Sequence, residues 1–151
     1  MRRLLGLLAV AATLLAQAGA PATAEALAGL TYAHAADVAT NKVRAQHGLV
    51  ALDHSDCIAH LAWAQAHRMA RQHRVFHQDM GVVLRTCHLS YAAENAAAGF
   101  RTGASVVYDG WMKSAPHRAN ILSTHYRLMV VGAVRSDNGR WYVSQVFGRR
   151  A

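Results

Sequence analysis

Apolar positions recur along this chain in two rhythms, helical first and alternating last. From Tyr32 to His47, the residues Ala35, Val38, Ala39, Val43 and Gln46 fall at helical intervals and Gly48 stands where a helix stop is expected, which predicts a first helix. After the short apolar stretch Leu49 to Leu52, Ser55 or Asp53 can cap a second helix, with Ile58, Leu61, Ala62, Gln65 and Met69 lining one face through about Gln72. Periodicity weakens from His73 to Gly103, where Gly81, Gly99 and Gly103 interrupt it, and the stretch reads as loops, where function usually concentrates. Helical spacing returns from Ala104 to Lys113, started by Thr102 or Gly103, with Val106, Val107 and Trp111 on the buried side. Ser114-Ala115-Pro116 ends that helix, because the residue before a proline avoids the helical region, and Pro116 begins a short turn carrying His117 to Leu122. Leu128 to Arg135 is rich in valine, Asp137-Asn138-Gly139-Arg140 supplies turn chemistry, and Trp141 to Phe147 alternates, which together predict an antiparallel hairpin. Helices first and strands last, with no repeated strand-helix-strand unit, predict an α+β domain.

Ahead of this domain, Met1-Arg2-Arg3 is followed by an uncharged run from Leu4 to Leu15, the basic start and apolar core of an export signal. The run is shorter than the roughly 20 apolar residues that span a bilayer, and no second candidate follows, so the mature chain is expected to have no transmembrane segment. Small residues fit cleavage after Ala18 or after Ala24; the second is preferred, giving a signal peptide over residues 1–24. The competing reading is a buried amino-terminal helix, and nothing on the stretch is polar enough to give such a helix a surface face. What remains suits one domain with a single core. No cysteine lies near the end of the leader to take a lipid, so the expected location is extracellular or periplasmic.

Removing Arg2 and Arg3 leaves 14 Lys and Arg against 8 Asp and Glu, a mature charge of +6. The basic residues are scattered and an exported protein rarely meets DNA. Nucleic acid is therefore not expected as a partner; a solvated basic face, or attraction to anionic envelope polymers, fits better. Only Cys57 and Cys87 are present, and in an oxidising compartment such a pair is most simply a disulfide. Two buried free thiols are the other reading, and no Cys-x-x-Cys spacing suggests a zinc site.

Of the 10 histidines, His60, His67 and His73 lie on or just past the second helix away from its apolar stripe, and His34, His47, His54, His88 and His125 have no evident partner. His77 and His117 stand in segments with their own structural logic, His117 directly after the Pro116 stop and restart. Glu94 is the only glutamate besides Glu25, and it sits in the apolar run Ala92-Ala93-Glu94-Asn95-Ala96-Ala97-Ala98-Gly99. A carboxylate so placed is either on an exposed loop or buried with a partner.

Several stretches, in order, resemble the CAP superfamily, the cysteine-rich secretory, antigen 5 and pathogenesis-related proteins, in a short bacterial form. Asn41 to Leu49 followed by Leu52 is similar to the family's first helix and its turn; the second helix with Trp63 and Met69, then Val75-Phe76-His77, resembles the segment delivering its first site histidine. Ala93-Glu94-Asn95 stands where the family usually has Gly-Glu-Asn. Trp111 to Leu122 is the closest match, and Gly132-Ala133-Val134 with Val143 to Gly148 completes the terminal strands, so the resemblance covers roughly Ala33 to Gly148.

The resemblance implies a three-layer α-β-α sandwich and a cleft lined by two histidines and acidic residues, able in several members to hold a divalent cation. By position, His77 and His117 would be the imidazole pair and the metal ligands, with Glu94 beside them. In larger members a second glutamate follows the tryptophan of the third helix; here Ser114 takes that place and cannot neutralise a cation. The expected protein is therefore secreted and non-enzymatic, with a cleft for a divalent cation such as zinc, not required for the fold, or for a small polar or lipidic ligand. A metal-dependent hydrolase of peptide or cell-wall substrates is the rival, although no nucleophile is evident and Glu94 cannot easily serve as ligand and general base together. A third reading makes His77, Glu94 and His117 a purely structural cluster that holds the loops.

Overall fold

The computed structural model describes residues 22–151. Residues 1–21 of the expected signal peptide, which runs over residues 1–24, lie outside them, and the cleavage motif Ala22-Thr23-Ala24 falls in the first turn of a helix. That helix, α1 (Ala22–Gln46), begins ten residues before the span its periodicity predicts. Its inward face also differs from the expected one: Ala36, Thr40, Val43 and Arg44 are buried, while Val38 is 54% exposed. Hydropathy alone points to valine, but here a buried threonine and arginine are carried by hydrogen bonds.

Helix α2 (Asp56–Gln72) follows the expected stripe, with Ile58, Ala62, Gln65 and Met69 buried. The loops expected over 73–103 are corrected: the segment forms α3 (Met80–Thr86), capped by the Asp79 carboxylate on the N–H groups of Gly81 and Val82, and then β1 (Leu89–Ala98). The third predicted helix is real but uneven, a short α4 (Gly103–Ser105) running into a π turn (Val106–Gly110) and a 3-10 turn (Trp111–Lys113). Then come α5 (Ala115–Ile121), β2 (Leu128–Arg135) and β3 (Trp141–Arg150), the last two forming the predicted hairpin.

The sheet is antiparallel in the order β1-β3-β2. Alternation along a strand sends successive side chains to opposite faces, and both faces are covered. Val143 and Phe147 of β3, with Met129, Val131 and Ala133 of β2, pack against Ala33 and Ala36 of α1 and against Val106, Val107 and Trp111. On the other face, Val146 and Val130 pack against Ile58, Ala62 and Val83. Tyr142 and Ala96 meet Met69 and Ala70. The result is the expected α+β sandwich of three layers. Close approach sets the second interface: a Cβ at Gly132 would lie 2.5 Å from the Ala62 carbonyl, so the β2 backbone lies almost directly on α2.

Cys57, at the start of α2, is disulfide-bonded to Cys87 just past α3, and no free cysteine remains among the described residues. The bond ties the second helix to the segment leading into β1.

Asp37 of α1 stands near the Val131 N–H, and its Oδ1 is buried without a partner. Burial pushes its carboxyl up to about 7 from an ordinary 3.8, and the nearby Val131 N–H only partly opposes this. A pKa raised in the folded state means that Asp37 favours folding fully below the unfolded value near 4 and loses that contribution as pH rises through about 7. Replacement by Asn removes the buried charge and leaves an amide to satisfy. Asp37→Asn is expected to add about 2 kcal/mol at pH 8 and nothing at pH 4, read from urea midpoints at both values.

Candidate functional site

Strand β1 is an edge: it pairs with β3 alone, and α3 and α5 pack against it. Glu94 and Asn95, consecutive on this edge, point to opposite faces, and each fixes one of the two histidine segments.

Glu94 is paired in register with Val146, and its side chain is 1% exposed. Burial of a carboxylate is costly unless hydrogen bonds replace water, and here four donors do so. Its Oε2 accepts His77 Nδ1 at 2.8 Å and the Gln78 N–H at 3.1 Å. Its Oε1 accepts Gln78 Nε2 at 2.9 Å and the Ser144 hydroxyl at 2.6 Å. An ionised carboxylate only accepts, so Nδ1 of the His77 ring bears a proton, and in the neutral ring the lone pair is then on Nε2. With a side chain 60% exposed, His77 presents that nitrogen from the protein surface.

The segment carrying His77 is held from α2 as well. Buried Gln65 donates its amide to the Phe76 carbonyl and accepts Arg68 Nε at 3.0 Å, while the Arg74 guanidinium lies 4.9 Å over the Phe76 ring.

Asn95 serves the other histidine. Its Nδ2 donates to the His117 carbonyl at 3.2 Å and to Gln145 Oε1 at 3.0 Å, and its Oδ1 accepts Asn120 Nδ2 at 2.9 Å. Gln145 in turn donates to Thr40 Oγ1 at 2.8 Å. This chain of buried amides therefore joins α1, β3, β1 and α5, and paired polar groups of this kind rigidify an interior. Pro116 in the first turn of α5 adds a fixed φ next to His117. Burial lowers the His117 pKa first, and the neighbouring His77 lowers it further. His117 therefore stays neutral to lower pH than an ordinary imidazole.

Of the expected site residues, His77 and Glu94 are in direct contact and His117 lies within electrostatic reach of His77. Ser114 stands at the N-cap of α5, where its carbonyl accepts the Arg118 N–H at 2.8 Å and its hydroxyl caps nothing. Glu94 has both oxygens engaged, and among the described residues no three His, Cys, Asp or Glu side chains are grouped to hold a metal ion. A cation here would have two imidazole ligands and water.

Sequence reasoning did not assign Gln78, Ser144, Asn95, Asn120, Gln145 or Gln65. A usable signal existed for Ser144 and Gln145. Two adjacent polar residues inside Val143-Ser144-Gln145-Val146 must occupy opposite faces of a buried strand, and each needs a partner.

A family model described as the cysteine-rich secretory protein family matches residues 38–147. No curated protein matches the chain. Among solved structures, an extracellular protein containing an SCP domain from Bacillus anthracis is 22% identical with a TM-score of 0.75, covering 89% of this chain and 45% of its own. A cysteine-rich secretory protein from Staphylococcus aureus is 23% identical with a TM-score of 0.67, covering 81% of this chain and 39% of its own. An outer surface protein of Borrelia burgdorferi is 16% identical with a TM-score of 0.67, covering 76% and 90%. The chain thus spans less than half of the Bacillus and Staphylococcus proteins it resembles.

Proposed function

This chain belongs to the cysteine-rich secretory protein family, and on that premise we propose that it is an exported, non-enzymatic CAP-domain protein whose edge-strand cleft binds a divalent cation through His77 and His117. The observation that carries this reading is the hydrogen bond from His77 Nδ1 to buried Glu94. Ligating histidines commonly give their other ring N–H to a carboxylate, which fixes tautomer and orientation. Glu94 acts as that positioning group and not as a ligand. The lowered pKa of His117 supports the same reading, since only a neutral imidazole ligates. Two imidazoles with water suit zinc of modest affinity, and a small polar ligand completing the coordination shell fits the same geometry.

Export is part of the proposal. It is supported by the Leu4 to Leu15 leader pattern and by the Cys57–Cys87 bond, which persists in an oxidising compartment. Among the described residues no helix is long and apolar enough to cross a membrane.

The rival hydrolase asks Glu94 to take a proton from water, yet its oxygens already accept four hydrogen bonds. Turnover of peptide or peptidoglycan that Glu94→Gln abolishes would favour the enzyme.

Calorimetric titration with zinc chloride tests the cation reading. One saturable site is expected. His77→Ala and His117→Ala are each expected to weaken it at least about tenfold, equivalent to about 1.4 kcal/mol. His60→Ala is expected to change nothing. Glu94→Gln is expected to cost about 10- to 100-fold through lost orientation, and binding falls on acidification as the imidazoles take up protons. No saturable heat, or equal heat in the His77 and His117 variants, contradicts the reading.

A further inference from the structure

The hairpin end of the sheet carries a second polar feature. Trp141 is five positions from Val146, the partner of Glu94, or roughly 16 Å along β3 at the usual rise of a strand. A cleft of about 520 Å³ opens there, lined by Phe100, Arg101, Arg135, Arg140 and Trp141 together with Gly99 and Gly139, and no carboxylate lines it. Among the described residues the ion pairs are His54–Asp56, His73–Asp137, His77–Glu94 and Lys113–Asp109, so no arginine is neutralised by a carboxylate. The acid in the adjoining turn, Asp137, is held by His73 at 2.7 Å.

One of these guanidiniums is held by a hydrogen bond and a second lies along the chain beside it. Arg135 Nε donates to the Gly139 carbonyl at 3.0 Å. Arg140 lies across Gly99, whose φ of +88° suits glycine and where a Cβ would sit 3.1 Å from Arg140 Nη2. The floor is also fixed. Half-buried Trp141 packs on Tyr32 with ring centroids 4.7 Å apart, and the Tyr32 hydroxyl donates to the Phe100 carbonyl at 3.2 Å. Bringing three like charges to one cleft without acids is unfavourable by itself, and the fixed Arg135 and aromatic floor lower the ordering cost of binding an anion.

We propose that this cleft binds the oxyanion groups, phosphate or carboxylate, of a sugar or polyol polymer. Arg101, Arg135 and Arg140 are the guanidinium donors, suited to forked hydrogen bonding with either oxyanion. Trp141 offers the part of its ring left open in the cleft to the uncharged face of the repeating unit. Three guanidiniums converge on one pocket, a compact arrangement that differs from the extended tracks that nucleic acids need. Anionic envelope polymers are the setting that the export reading supplies, and the cleft gives that attraction a specific place.

The test is fluorescence-anisotropy titration of the secreted chain with three labelled probes at two salt concentrations: a glycerol-phosphate polymer, polygalacturonate, and single-stranded DNA of matched charge. Among the described residues, the side chains of Arg101 and Arg140 make no hydrogen bonds within the fold, so Arg101→Gln/Arg140→Gln is expected to fold normally. That variant is expected to bind the preferred polymer at least tenfold more weakly. Arg149→Gln/Arg150→Gln, which removes the same charge at the opposite end of β3, is expected to cost less than threefold. Whichever polymer binds tighter identifies the oxyanion source. Equal losses in the two variants, binding of neither polymer, or DNA binding as tight as the better polymer would overturn the proposal. His77→Ala is expected to leave polymer binding unchanged, so failure here is distinguishable from failure of the cation reading.

Discussion

Reduction of the Cys57–Cys87 bond is expected to lower the stability of the domain by about 3–4 kcal/mol. The pair is separated by 30 positions, and closing a loop of that size in the unfolded chain removes entropy worth about 3.7 kcal/mol in the chain-entropy account. That is a large share of the roughly 5–15 kcal/mol that stabilises a typical domain. The local packing gives a second reason for a marked effect. Between His77 and β1 the chain is anchored by the short α3, in which Val83 is the buried side chain. Without the bond, that segment is free to open ahead of the rest, and it follows directly on His77 and Gln78. Urea melts with and without reductant measure the cost, and Cys57→Ser/Cys87→Ser should reproduce the reduced curve. A difference under about 1 kcal/mol would show that α3 and β1 hold the segment without it. Zinc affinity should also fall in the reduced protein, because the segment presenting His77 is loosened.

Arg44→Met is expected to cost about 3 kcal/mol, and for a different reason. Arg44 is fully buried on α1 and reaches three carbonyls: Val50 through Nε at 2.9 Å, and Ile121 and Ser123 through Nη1 at 2.7 and 2.8 Å. Replacing both partners of a buried pair by apolar groups is often harmless, but here the carbonyls remain. Each one left without a donor costs about 1–3 kcal/mol. The charge itself is strained by burial first and by Arg127 second, both of which lower its pKa, and Nη2 has no partner. Removing it recovers part of the loss, which keeps the estimate near the lower end. Because Ile121 ends α5, the substitution also frees the helix that carries His117. Arg44→Lys, keeping one charge and a single point of donation, should fall between wild type and Arg44→Met in a thermal or urea melt. A neutral Arg44→Met would mean that water replaces the guanidinium.

The elements that were legible in the sequence are those in which side-chain burial and intrinsic preference agree. The stripe Ile58, Ala62, Gln65 and Met69 is the buried face of α2, and the valine-rich β2 with the alternating β3 forms the predicted hairpin. Strand β1 was not legible, because Leu89–Ala98 is dominated by alanine, which favours helix and is depleted in strands. Its conformation comes from pairing with β3, from Leu89 opposite Arg150 to Ala98 opposite Tyr142, a long-range fact that no local window contains. The candidate site divides in the same way. Residue type and segment singled out His77, Glu94 and His117, but the donors that surround Glu94 come from Gln78 and from Ser144 on a strand fifty residues away. Both the elevated pKa of Asp37 and the amide chain from Thr40 to His117 depend on packing between layers.

The central claim is that buried Glu94 fixes the His77 ring so that its Nε2 and an imidazole nitrogen of His117 face one cation. Long-range proton–nitrogen NMR of the histidine rings, recorded at neutral pH before and after addition of zinc, tests it most directly. The account predicts that His77 carries its proton on Nδ1 in the free protein and that zinc shifts His77 Nε2 and one nitrogen of His117 while the Nδ1 proton of His77 is retained. A His77 ring protonated on Nε2, or zinc shifts confined to other histidines such as His60, His67 and His73, would contradict it.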